Sequence, residues 1–108
     1  MLNEQQQKQL SVLRTDIREI FLNDWNPFGV PFDDKGYLAQ NEYDPYVSEI
    51  YGLLKLGSTI ENLSKALIRI EKEDFGLSPS LITEKQAHIA AQKLIKVYMK
   101  TEKEMMQS

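Results

Sequence analysis

Outside one stretch the chain repeats a single rhythm, apolar residues three and four positions apart, and that period constrains the fold more than anything else in the sequence. Leu10, Leu13, Ile17, Ile20 and Phe21 make the first such stripe, with Lys8, Arg14, Arg18 and Glu19 on the opposite, solvated side. Tyr46, Val47, Ile50, Leu53 and Leu54 make the second, which Tyr51 and Leu56 widen until little polar surface is left. Ile60, Leu63, Ala66, Leu67 and Ile70 make the third. Ala87, Ala90, Ala91, Leu94, Val97 and Tyr98 make the fourth, built mostly of small residues that allow helices to approach closely. These patterns predict helices over about 5–23, 44–56, 59–75 and 84–100 in a compact four-helix, all-α domain. The rhythm fails only over residues 24–43, which read as a long ordered loop between the first two helices.

Start and stop signals agree with this division. Asn26-Pro27 ends the first helix, because proline lacks a donor and pushes its predecessor out of the α region. Asp44 followed by Pro45 is a cap followed by the one helical position that tolerates a missing N–H. Gly57 and Gly76 are stops. Ser58-Thr59-Ile60-Glu61 and Thr83-Glu84-Lys85-Gln86 match the reciprocal capping box. The expected packing has the second helix most buried, in a hairpin with the third, and a C-terminal tail that frays from about Lys100. Phe32 and Tyr37 flank Asp33-Asp34-Lys35-Gly36, a turn that suits a short hairpin inside the loop.

Length and charge narrow the classes. A chain of 108 residues is enough for one domain. With no cysteine, disulfides, thiolate nucleophiles and sulfur-ligated zinc are excluded. The polar N-terminus lacks the pattern of a signal peptide, and no apolar run reaches the roughly 18 residues of a membrane span, so the expectation is a soluble, cytoplasmic protein. Asp24, Asp33, Asp34, Glu42 and Asp44 against the single Lys35 leave the 24–46 segment at −4, so the rest of the −3 chain carries about +1. That acidity disfavours nucleic acid, whose phosphates need clustered Lys and Arg, and favours a basic protein partner.

The same segment holds the candidate functional residues. It contains the only tryptophan and most of the aromatic side chains, Trp25, Phe28, Phe32, Tyr37, Tyr43 and Tyr46 among them, residue types that either staple a long loop or anchor a binding surface. Once Asp44 and Pro45 are assigned to capping, the candidate binding surface comprises Trp25, Phe28, Glu42 and Tyr43, flanked by Asp44 and Tyr46. Asp24, Glu42 and Asp44 form the alternative: three carboxylates that, if they converge, suit a divalent metal or acid–base work in a small enzyme. A calcium loop started at Asp24 fails, since Phe28 and Lys35 occupy positions that need oxygen ligands. His88, the only histidine, has no neighbour that completes a triad or a two-histidine metal motif. Phosphate loops, nucleophile elbows and dinucleotide fingerprints are absent, so no cofactor is expected and the favoured reading is non-enzymatic. The small-residue stripe of the last helix offers a third possibility, a structural subunit that self-associates.

Asp24-Trp25-Asn26-Pro27-Phe28-Gly29-Val30 together with Glu42-Tyr43-Asp44-Pro45-Tyr46, followed by Ile50-Tyr51 and Leu53-Leu54, resembles a family of small uncharacterised bacterial helical proteins. The similarity extends weakly through Ile70-Glu71 and Phe75-Gly76-Leu77, with Asn41 standing where that family's pattern has an acid. The resemblance implies a compact α-helical domain with no assigned activity, some of whose members look like immunity proteins encoded beside toxins, and it supplies no catalytic residues.

Overall fold

The computed structural model describes residues 3–25, 44–74, 76–78 and 80–107, and for 44, 81, 82 and 107 the backbone alone. Within them the protein is a four-helix, all-α domain: α1 Glu4–Ile20, α2 Asp44–Lys55, α3 Ile60–Arg69 and α4 Leu81–Gln107. Two of these helices run on into a turn of wider, π-type helix, Phe21–Trp25 after α1 and Ile70–Asp74 after α3. No helix among the described residues is long and apolar enough to cross a membrane. Most of the loop expected over 24–43, including the Phe32/Tyr37 hairpin, lies outside the described residues.

The π turns have a physical reason in the spacing of the core residues. Leu13, Ile17, Phe21 and Trp25 follow one another in steps of four, as do Leu63, Leu67 and Glu71, and all seven are buried. Each step of four overshoots an α-helical turn by about 40°, so a straight helix would rotate the last residue away from the core. A turn holding more residues per revolution rotates it back. The first helix therefore continues through Asp24 and Trp25, two residues beyond the end that its sequence suggests.

Helix ends follow the expected chemistry, with shifts of register. At α1, Asn3 and Gln6 form a reciprocal box: Asn3 Oδ1 accepts from the Gln6 N–H at 2.8 Å, and Gln6 Oε1 accepts from the Asn3 N–H at 3.2 Å. At α3 the cap is Thr59, whose Oγ1 accepts from the Asn62 N–H, and not the expected Ser58 paired with Glu61. The reason is that Gly57, at φ 79°, ends α2 with Ser58 as the second residue of the stop: Gly57 donates to the Leu54 carbonyl and Ser58 to that of Leu53. At α4 the box is Ser80 with Thr83, a turn earlier than Thr83 with Gln86. Gly76, at φ 66°, closes the second π turn, and Leu77 donates back over six residues to the Glu71 carbonyl at 2.8 Å.

Packing corrects two expectations. The hub of the domain is α4, which packs against α3, α1 and the first π turn, whereas α2 makes fewer contacts and α3 lies on α4 instead of pairing with α2 as a hairpin. Ala87, Ala90 and Ala91 explain this: fully buried and short, they let three elements close onto one helix. The small residues of that stripe are thus buried within the chain's own core. Helix α4 also continues to Gln107, where fraying was expected from Lys100, because Thr101 still faces inward at 7% exposure.

Candidate functional site

Trp25 is not a surface residue. Its indole is 1% exposed, with Phe21 edge-on at 5.2 Å and 66°. Its Nε1–H donates to Oε1 of Glu71 at 2.5 Å, so the one tryptophan joins the two π turns across 46 positions of sequence. This overturns the assignment of Trp25 to a binding surface, for a simple reason: at the end of a four-residue stripe its ring is the largest apolar group available to close that side of the core.

Asp24, its neighbour, points the other way. Oδ1 accepts from Lys93 Nζ on α4 at 2.8 Å, and the carboxylate is 17% exposed. That pairing counts against Asp24 as a free metal ligand, since the ammonium already neutralises it. Asp44 begins α2, in keeping with its reading as a helix start, and its side chain is outside the described atoms. Phe28, Glu42 and Tyr43 lie outside the described residues altogether. Tyr46 is half-buried and packs against the core. Among the described residues no three His, Asp or Glu side chains are grouped as a metal ion would need. His88 is exposed on α4 with its Nε2 3.4 Å from the amide nitrogen of Gln92.

Glu71 is the residue whose importance the sequence conceals. It sits in Ile70-Glu71-Lys72-Glu73-Asp74, which reads as a solvated charge run, yet it is 1% exposed. Burial pushes its carboxyl above the usual carboxylate range, and the Trp25 hydrogen bond pulls in the opposite direction. The signal was present: counting in fours from Leu63 through Leu67 lands on an acid in the middle of an apolar stripe. Its neighbours stay at the surface, where Arg69 bonds Glu49 of α2 and lies 3.7 Å from Glu73. Among the described residues the Glu71 carboxyl is bonded by the Trp25 indole, and that bond joins the two π turns.

Elsewhere, a groove of about 480 Å³ opens between α1, α2 and the end of α4, walled by Leu10, Leu13 and the edge-on pair Tyr51–Tyr98, whose rings are 6.3 Å apart. Ser64 Oγ is buried with no hydrogen-bond partner among the described residues. No known protein family, curated protein or solved structure matches the chain.

Proposed function

We propose that the chain is a non-enzymatic protein-binding module of the immunity type, which meets a basic surface of a toxin domain with its acidic segment. One observation carries the reading. The turn that directly precedes Asp33, Asp34, Glu42 and Asp44 in sequence is held twice, by Trp25 on Glu71 and by Asp24 on Lys93. A charged segment rooted in a fixed turn loses less freedom on binding than one rooted in a frayed end, and its charge steers a basic partner toward it. Phe28 and Tyr43 supply the aromatic anchors within that segment, and Glu42 its charge.

The test is co-purification from the native host at low and high salt, with wild-type protein and a Asp33→Lys/Asp34→Lys variant side by side. The expected result is a specific partner that is lost both at high salt and with the charge reversal. A partner retained by the variant, or none at either ionic strength, rejects the acidic segment as the binding surface.

A further inference from the structure

The outer face of α4 has a chemistry of its own. Lys85, Ile89, Gln92, Lys96, Met99, Lys103 and Met106 follow in unbroken steps of four and three, and every one is exposed. The stripe spans about 32 Å of helix at 1.5 Å per residue. It lies directly opposite the buried Ala87, Ala90, Ala91 and Leu94, so it cannot turn toward the core. Lys93 and Lys100 flank it, while the acids of α4, Glu84, Glu102 and Glu104, fall on its sides about 100° away by helical rotation. Among the described residues no carboxylate pairs with Lys85, Lys96, Lys100 or Lys103.

Charge alone would be a solvated face. What distinguishes this one is the apolar surface within it, Ile89 at 46%, Met99 at 64% and Met106 at 80% exposure. Met99 and Met106 border a shallow depression of about 470 Å³ with Glu102 and Lys103, and Met106 also edges the groove between α1, α2 and α4. Methionines at a seven-residue interval, with lysines between them, are the arrangement that a facing helix fills: apolar knobs enter between the methionines, and carboxylates beside them meet the lysines. A nucleic-acid backbone would use the lysines and leave the three apolar side chains in water. A lipid surface would require a continuous apolar face, and here Lys85, Gln92, Lys96 and Lys103 interrupt it.

We propose that this face docks an acidic amphipathic helix of a partner protein, lying along α4 from Lys85 to Met106. The stripe shares no residue with the acidic segment of the proposed function, and either reading can fail without the other. The probe is a labelled synthetic peptide of about 21 residues, with Leu at a and d and Glu at e and g, whose own charges keep it from pairing with itself. Anisotropy titration with the full chain should show binding that weakens about tenfold or more between about 50 and 500 mM salt. Lys96→Glu/Lys103→Glu should weaken it by at least about tenfold, as should Met99→Ser/Met106→Ser, while Asp33→Lys/Asp34→Lys should leave it unchanged. Lys96→Gln/Lys103→Gln, which should melt with wild type, must weaken it in the same direction. Equal binding of the peptide with Lys in place of Glu, indifference to the α4 variants, or tighter binding to a DNA duplex or to phosphatidylglycerol vesicles than to the peptide would overturn the proposal.

Discussion

Asp24 and Trp25 are adjacent in sequence, lie on the same turn, and each reaches a partner far along the chain, yet they do different things. Trp25 reaches Glu71 inside the core, where both groups have left water. Asp24 reaches Lys93 at the rim, with 54% of the lysine side chain exposed. In the first pair the ring contributes large apolar burial and the hydrogen bond answers a buried carboxyl. In the second, water screens the attraction and each side chain gives up freedom to form it. Sequence proximity and bond length say almost nothing about how much a contact contributes; desolvation decides it.

Breaking the buried side should have the largest effect. Trp25→Ala is expected to destabilise the domain by about 3–5 kcal/mol, measured by urea denaturation, because it leaves a cavity at the junction of the two π turns. A loss below about 1 kcal/mol would place Trp25 on the same footing as Asp24. Trp25→Phe retains most of the ring but removes the donor, and should cost about 1–3 kcal/mol at neutral pH by leaving Glu71 unanswered.

Glu71→Gln sharpens the comparison through pH. Because burial raises the folded-state pKa of Glu71, the unfolded chain releases this proton first, so the contribution of Glu71 is fully present below its ordinary value of 4.5 and is lost as pH rises through the raised one. The Glu71→Gln variant should therefore gain on wild type as pH rises from 4 to 8, and a difference that stays flat across that range would show a carboxyl not desolvated by the fold. On the rim, Lys93→Met should shift stability by no more than about 1 kcal/mol, and by less in high salt. Smallest in consequence, Ser64→Ala should stabilise by roughly 0.5–1 kcal/mol, since it removes a buried hydroxyl that has no partner among the described residues, and thermal melting reads the gain directly.

How much of this was legible in advance differs from element to element. The four helices and the stops at Gly57 and Gly76 follow from local chemistry, and local chemistry is written in neighbouring residues. Caps shifted because two good candidates stood side by side: Ser58 and Thr59 both accept hydrogen bonds, and the geometry of the preceding glycine stop chose Thr59. The site was less legible. Trp25 in a stretch rich in turn residues looks like an exposed anchor, and nothing nearby announces that its partner is Glu71.

The sequence by itself determined the fold class, the number of helices, the side of each that turns inward, and the concentration of acid between Asp24 and Tyr46. It did so because period, propensity and capping act over a few residues. Only the tertiary structure decided that α4 and not α2 is the hub, that Trp25 faces a buried glutamate, and that a lysine- and methionine-bearing face is left outside. Those outcomes depend on which stripes meet, and that is settled by the volumes of side chains distant in sequence: three alanines made α4 the helix that the others could approach.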